Sequence, residues 1–344
     1  MIDIKLLRED PELVKENIKK KFQTEKLHLV DEVVKLDTEW RKLRYKEDTL
    51  RSERNHVSES INQAKKSKDE KKANELIKKA KSIPEEIAKT EGTRKSLEEK
   101  IEKIMYQIPN IIHSSVPIGK DASQNVVRKA VGKPKKLKFD AVGHAELGEK
   151  LKVLDFDTSA EVSGKGFYYM KGDLALLNIA LINFARDYMV KQEFEYVETP
   201  LMIKKEVLEG VYSREEINVM SYKIEGEDLY LIATSEHPLI GQFINKTLMK
   251  ADLPIKQTSY SMCFRKEIGS HGIDEKGIFR THQFNKQEMI VICEPSESYK
   301  WYDKMLKYSI DIFKALGIPI RVIESCSGDL SNLKAKSCDL EAWS

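Results

Sequence analysis

Cysteine is scarce in this chain: Cys263, Cys293, Cys326 and Cys338 are scattered, no two form a C-x-x-C pair, and no histidine lies at a spacing suited to zinc. A reduced, cytoplasmic compartment is the simple expectation. Long hydrophobic runs are lacking too. Nowhere do about 18 apolar residues follow one another, which removes a membrane-spanning helix. The opening MIDIKLLREDPELV carries Asp3, Glu9 and Asp10 and no continuous apolar segment, so neither a signal peptide nor a transit peptide is expected there. An excess of charge of one sign is missing as well. The 59 Lys and Arg oppose 56 Asp and Glu, a net charge of +3, so no global field calls for nucleic acid and any basic surface must be local.

What is present is length enough for two domains, 344 residues against roughly 100 to 200 per domain. Asp3 to Phe22 predicts a short helical element with Asp10 as N-cap, Pro11 at the first helical position and Glu12 in the first turn. Leu29, Val33, Leu36, Trp40, Leu43, Leu50, Val57, Ile61 and Ala64 then keep a 4-3-4-3 rhythm, broken at Glu47 and Arg54. That is a heptad seam. A second follows in Ala73, Leu76, Ala80, Ile83, Ile87, Thr90, Arg94, Leu97, Ile101 and Ile104. Only Lys65 to Lys72 separate the two, so the helices are expected as antiparallel neighbours. Pro84 predicts a kink in the second and Gly92 weakens it. At the tip Lys65, Lys66, Lys68, Lys71, Lys72, Lys78, Lys79 and Lys81 outnumber Asp69, Glu70 and Glu75. Such a run is either a solvated face or a contact for phosphate backbone.

Ile108 to Lys120, with Pro109, Pro117 and Gly119, reads as a linker closing the arm. Asp121 to Lys138 is basic and irregular, a short helical pattern surrounds His144, Leu147 and Leu151, and Phe156 to Tyr169 is turn-rich and extended. Gly172 and Asp173 precede a helix whose buried face is expected at Leu174, Leu177, Leu181, Phe184 and Tyr188. Glu195 to Met202 reads as a strand that ends at or runs past Pro200. Leu229 to Ala233 reads as a strand delivering Thr234, Ser235, Glu236 and His237 to its end, ahead of a helix begun by Pro238. Those polar residues either build a ligand pocket or cap the helix through Thr234 or Ser235. Met289 to Cys293 and Ile320 to Ile323 read as strands, with a helix over Ser296 to Leu316 between them. Lys336 to Trp343 reads as a last strand left unpaired.

The stretch that departs from a generic pattern is CFRKEIGSHGIDEKGIFRTHQFNKQE, Cys263 to Glu288. Phe264, Arg265 and Glu267 precede a loop holding Gly269, Gly272 and Gly277, and Arg280 follows. At period two, His282, Phe284, Lys286 and Glu288 share one face of a strand, while Thr281, Gln283, Asn285 and Gln287 take the other. Arginine offers a fork for phosphate, phenylalanine a face for stacking a base, and glutamate an acceptor for an ammonium or a metal. ATP and an amino acid have those parts; a solvated hairpin whose charges pair among themselves is the other reading.

In this order the segments MIDIKLLREDPELV, IPNIIHSSVPIGKD, YVETPLM, LIATSEHPL, FRKE...GIFRTHQFNKQE and GDL followed by DLEAW resemble the seryl-tRNA synthetases, with the hairpin similar to motif 2 of class II synthetases and YVETPLM to motif 1. The resemblance implies an α+β fold: an N-terminal antiparallel two-helix coiled-coil arm over residues 1–115 that binds tRNA, then a class II catalytic domain over 116–344, a mostly antiparallel sheet with flanking helices. It implies activation of serine with ATP to seryl-adenylate, transfer to tRNA(Ser), and a homodimer formed through the motif 1 region. Carried over by position, Arg265 grips the α-phosphate, Phe284 stacks on adenine, and Glu267 lies near adenine or ribose, with Arg280 as a further nucleotide contact. Thr234, Glu236 and Glu288 receive serine together with Arg265, and Arg265, Glu267 and Arg280 carry catalysis. Lys65, Lys66, Lys68, Lys71, Lys72, Lys78 and Lys79 face tRNA, and Mg2+ is expected between the phosphates with no metal site on the protein itself. The lack of zinc-like spacing argues against the rarer zinc-dependent form. The family continues for roughly a hundred residues beyond this end, with motif 3, so the chain reads as incomplete; a truncated, inactive tRNA-binding or scaffold paralogue is the alternative.

Overall fold

Aspartate and proline set where the first helices begin. The computed structural model describes residues 2–212, 214–267 and 277–344. The chain divides into two units, Met1–Arg128 with Ile323–Asp339 and Lys129–Val322 with Leu340–Ser344. In the first unit Asp3 caps α1 (Ile4–Glu9), and the Asp10 carboxylate accepts from the Leu13 N–H to cap α2 (Pro11–Lys20). The single element expected over Asp3 to Phe22 is thus two helices, split where Asp10 caps and Pro11 has no N–H to continue the first.

The two seams form α3 (Leu27–Lys66) and α4 (Glu70–Met105), of 40 and 36 residues. Ser67, Lys68 and Asp69 are all that joins them, with Lys68 at φ +59° and Asp69 capping α4 through the Lys72 N–H. Leu29, Val30 and Val33 cluster with Ile101 and Met105, and Leu50 and Val57 cluster with Ile83 and Ile87. The start of α3 therefore meets the end of α4, the antiparallel arrangement. α4 runs on through Pro84 and Gly92 without ending.

The polar breaks in the seams answer each other. Glu47 of α3 and Arg94 of α4 are 2 % and 8 % exposed, and Arg94 Nε donates to Glu47 Oε2 at 2.8 Å. Arg51 also donates to Glu47, and Arg94 to Glu98. Lower in the same unit, Lys21 is 1 % exposed and gives its ammonium to the carbonyls of Leu330 and Ser331. Burial, with Lys26 adding to it, pulls the Lys21 pKa down to about 8.

From there the elements run β1 (Val126–Val131), α5 (His144–Lys150), β2 (Leu154–Asp155), α6 (Asp157–Ser163), β3 (Tyr169–Met170) and α7 (Gly172–Lys191). Next come β4 (Glu195–Tyr196), β5 (Met202–Lys204), α8 (Lys205–Glu209), α9 (Arg214–Met220), β6 (Leu229–Leu231) and α10 (Glu236–Gly241). β7 (Ile255–Phe264), β8 (Gln283–Ile292), α11 (Ser298–Ala315), β9 (Ile320–Glu324) and β10 (Cys338–Ala342) complete the chain. Sheets among the described residues order β1-β9-β10, β2-β3, β4-β7-β8 and β5-β6. β7 with β8, β5 with β6 and β2 with β3 are antiparallel; β4 joins β7 in parallel. Ile203, Leu208, Ile217, Tyr230 and Ile232 form the core that gathers β5, α8, α9 and β6.

Five expectations are corrected. A strand, β1, occupies the stretch read as irregular, its Arg128 paired with Glu324 of β9. A helix, α6, occupies the stretch read as extended, because the Asp155 carboxylate accepts from the Thr158 N–H and closes its first turn. The strand expected over Glu195 to Met202 is two, β4 and β5, separated around Pro200, which cannot donate to a ladder. The strand over the last residues is paired, with β9. Finally, the face of α7 expected to be buried is open over its middle: Leu177, Leu181 and Phe184 are 54, 41 and 36 % exposed, Leu174 and Tyr188 are half-buried, and Met189 is the one fully buried residue of α7.

Removing one member of the Glu47–Arg94 pair strands the other between the helices, so Arg94→Ala is expected to destabilise the arm by about 1 to 3 kcal/mol, read from denaturant unfolding followed by circular dichroism. Arg94, first, and then Arg51 hold the Glu47 carboxyl below its ordinary value of 4.5. A depressed carboxyl stabilises the folded state above that value and loses the contribution as pH falls through the depressed one. Wild-type and R94A stabilities should therefore converge in acid; a gap unchanged by pH would contradict the pairing.

Candidate functional site on the β7–β8 hairpin

β7 and β8 pair over ten rungs, among them Ser259 with Glu288, Ser261 with Lys286 and Cys263 with Phe284. Paired residues share a face, so small groups lie beside long ones. Ser259, Ser261 and Cys263 are at most 2 % exposed and form a floor, from which Phe284, Lys286 and Glu288 rise, half-buried. The alternation read from the sequence holds from Gln283 to Glu288, in a strand that continues through Met289 to Ile292, while His282 precedes it as a bend.

The exit of β6 brings the second set of groups. Phe264 N–H donates to the Ile232 carbonyl and Ile232 N–H to that of Leu201, which ties residues 232–234 along β7. Thr234 is 2 % exposed, and its hydroxyl donates to Glu288 Oε2 at 2.9 Å. It accepts from Lys286 Nζ at 2.9 Å and from the Glu236 N–H at 3.2 Å. One donor and two acceptor positions are all that a hydroxyl has. Lys286 Nζ also stands 2.5 Å from Glu288 Oε2. Ser235 occupies the N-cap position of α10 without a side-chain cap and donates instead to the Ser259 carbonyl. Of the two readings left open, the polar cluster faces the hairpin and no capping box forms.

Farther along, the Arg265 guanidinium lies 5.1 Å from the centroid of the Phe284 ring, and its Nε donates to the Ala233 carbonyl at 3.3 Å. Arg280 Nη1 donates to Glu267 Oε2 at 3.2 Å. Glu267 sits at φ +46°, a left-handed conformation that costs a side-chain-bearing residue energy and gathers at functional sites. Gly269 and Gly272 lie outside the described residues. The sequence-derived candidates thus come together in three groups: Arg265 with Phe284, Arg280 with Glu267, and Thr234 with Glu288, with Glu236 joined to the last through its backbone. The lysines of the other unit, Lys65, Lys66, Lys68, Lys71, Lys72, Lys78, Lys79 and Lys81, are exposed around the α3–α4 turn, and Lys79 pairs with Glu53 at 2.7 Å.

Lys286 was absent from the candidate set, although the alternation had already put it on the face of Phe284 and Glu288. His237, one of the polar residues read at the end of β6, was given no role. It is 3 % exposed, meets the Tyr212 ring edge-on at 5.0 Å, and among the described residues its Nδ1 has no hydrogen-bond partner. Burial, and after it the charges of Lys286 and Arg265, pull its pKa to about 4. Burial also pushes the Cys263 thiol up, so it stays protonated in the floor. Taken together, the face offers a cation next to an aromatic plane, and one carboxylate held by a hydroxyl and an ammonium. That set suits an anionic, ring-bearing ligand beside a small zwitterion.

Family models match two parts of the chain: the seryl-tRNA synthetase N-terminal domain over residues 1–112 and the class II tRNA synthetase core domain (G, H, P, S and T) over residues 220–344. The serine–tRNA ligase of Thermococcus sibiricus is 42% identical across 100% of this chain and 79% of its own length. That of Methanocella arvoryzae is 39% identical, with 100% and 80% covered. Among solved structures, seryl-tRNA synthetase from Pyrococcus horikoshii complexed with ATP superposes with a TM-score of 0.90 at 40% identity, covering 100% of this chain and 81% of that one. The cytoplasmic serine–tRNA ligase of Naegleria fowleri in complex with AMP gives 0.86 at 32% identity, covering 100% and 82%.

A histidine kept neutral by burial opposes folding in acid. Between its ordinary value of 6.5 and about 4, the unfolded chain takes up a proton that folded His237 refuses. Stability should therefore fall by roughly 3 kcal/mol as pH drops through that window. Replacing His237 with glutamine should flatten the slope there in thermal unfolding measured against pH; an unaltered slope would mean that His237 titrates normally.

Proposed function

The chain belongs to the seryl-tRNA synthetase family, a serine–tRNA ligase of class II, and from that premise we propose that the β7–β8 hairpin holds ATP and serine side by side for both steps of the reaction. The observation that carries this is the single face shared by Arg265, Phe284, Lys286 and Glu288, with Thr234 brought against it. In the first step a serine carboxylate oxygen attacks the α-phosphorus, the bond to the bridging oxygen breaks, and pyrophosphate leaves. In the second, a terminal ribose hydroxyl of tRNA attacks the seryl carbonyl and AMP leaves. Neither step needs a protein nucleophile, so catalysis rests on positioning and on offsetting negative charge.

Arg265 takes the α-phosphate and Phe284 the adenine, which lets the guanidinium already beside the ring serve the phosphate attached to that adenosine. Glu267 and Arg280 serve the nucleotide as a pair. Glu288 and Thr234 receive the serine ammonium and hydroxyl, with Glu236 next to them. Serine would exchange bonds that Thr234, Lys286 and Glu288 make among themselves for bonds to its own ammonium and hydroxyl, and an analogue without the hydroxyl forgoes part of that exchange. Magnesium would accompany the ATP, keeping phosphate and water oxygens as ligands.

Residues 1–115 are the tRNA-binding arm in this reading and 116–344 the catalytic part. The exposed lysines at the arm's tip approach the phosphates of tRNA(Ser) as point charges. The open apolar face of α7, next to the motif 1 segment, is where two copies meet as a homodimer. The enzyme works in the cytoplasm.

Serine-dependent exchange of pyrophosphate into ATP tests the central reading, and no exchange with any amino acid would remove it. Arg265→Ala should lower that exchange at least about 100-fold while the protein still sediments as a dimer; a monomer would sink the reading of α7. For the arm, replacing Lys68, Lys71 and Lys72 with alanine should reduce the slope of log affinity for tRNA against log salt by roughly 2 to 3. An identical slope would leave those lysines as a solvated face.

A further inference from the structure

Arg280 stands in the descending limb of the hairpin, and two contacts from outside the hairpin bracket it. On its N-terminal side the backbone turns through Gly277, Ile278 and Phe279 against His144. Ile278 N–H donates to His144 Nε2 at 3.0 Å, and Phe279 meets the imidazole edge-on with centroids 4.4 Å apart. Gly277 is at φ +83°, and a Cβ there would come within 2.0 Å of His144 Nε2, so only glycine lets the chain approach this closely. Since Nε2 accepts, it carries no proton, and the ring's hydrogen is on Nδ1. On the other side, His282 N–H donates to the Gly166 carbonyl at 2.9 Å, and a Cβ on Gly166 would strike the His282 ring.

Both contacts come from one strap, and the strap is itself braced. His144 opens α5, where Gly148 packs so closely on Leu154 that a Cβ would lie 2.4 Å from it. β2 pairs with β3 at Leu154–Met170 and Asp155–Tyr169, and Lys171 Nζ closes the strap on Asp155 at 2.5 Å. A fixed imidazole, rather than a mobile side chain, thus sets where the limb turns.

Arg280 is half-exposed and reaches Glu267 across the hairpin. We propose that His144 is a positioning residue for the nucleotide: by accepting from Ile278 it fixes the turn that aims Arg280, and through Arg280 the strained Glu267, at ATP. The inference rests on the reading of Arg280 and Glu267 as nucleotide contacts. Without the pin, ATP binding would have to order the limb at its own expense, so the effect falls on ATP and spares serine, whose groups are on Thr234 and Glu288.

The test is calorimetric titration of the chain with ATP and, separately, with serine. Unmodified protein that binds no ATP would remove the nucleotide reading itself. If it binds, His144→Ala is expected to weaken ATP about tenfold with serine affinity unchanged. His144→Gln, which keeps an acceptor at the ε position, should recover most of the loss. Gly277→Ala, which drives a methyl into the imidazole, should weaken ATP as H144A does and keeps the test open if H144A does not fold. ATP affinity within twofold of wild type in H144A or in G277A would overturn the proposal. So would an equal loss in H144A and H144Q, or a parallel loss of serine binding, since either would mean that the side chain only supports the fold.

Discussion

The register of β7 against β8 is the constraint on which the rest of the site depends. With side chains alternating at period two, a slip of one residue would send Phe284, Lys286 and Glu288 to the opposite face and leave Thr234 facing Asn285 and Gln287. Ten rungs hold the register from Ile255–Ile292 to Phe264–Gln283. It is reinforced from both faces. On one, Ser235 and Ser259 meet; on the other, the Tyr260 hydroxyl donates to Asn285, and Gln287 Nε2 donates to the Thr258 hydroxyl. The serines and the cysteine of the floor matter for what they omit: larger residues at 259, 261 and 263 would fill the space in which the long side chains of β8 stand.

A second principle runs through both units. Charge taken from water is met by charge or by a complete set of hydrogen bonds, and the partner is usually distant in sequence. Glu47 finds Arg94, Asp37 finds Arg8, Lys21 finds the carbonyls of Leu330 and Ser331, and Thr234 completes its three bonds with Glu288, Lys286 and the Glu236 backbone. In the arm such pairing specifies which turn of one helix faces which turn of the other, because sliding by a turn would leave both Glu47 and Arg94 against apolar neighbours. On the hairpin the same pairing fixes Thr234, Lys286 and Glu288 against one another, which is what the proposed mechanism, built on positioning, demands.

Much of this was legible in the sequence where periodicity and chemistry coincide. The heptad seams located α3 and α4 to within a few residues, and the alternation placed Phe284, Lys286 and Glu288 on one face, with His282 falling just ahead of the strand. Caps were legible at Asp10, because the residue bonds within its own turn. What was illegible depended on partners far along the chain. Ser235 has the composition of a cap but bonds to Ser259, a strand neighbour that the local pattern does not reveal. His144 read only as part of a short helical pattern, since nothing around it announces Ile278, more than a hundred residues later. β1 was missed for the same reason, since Arg128 is held by Glu324; α6 was missed although its Asp155–Thr158 bond is local, because Asp155 precedes the stretch that was read as extended.

α7 teaches a different lesson. Its apolar positions were read correctly as a face, yet Leu177, Leu181 and Phe184 are open while Met189, outside the expected set, is the residue buried. Periodicity reports that a helix has an apolar side; it carries no information about whether the chain itself or another molecule covers that side. A helix that packs on β7 and β8 through small and polar residues such as Asn178, which meets Asn285, can keep its larger apolar residues free on the other side. The inward face of α7 then supports the hairpin, and of the residues the pattern marked as core Leu177, Leu181 and Phe184 are turned outward, while Tyr188 meets Tyr308 and Asp311 of α11.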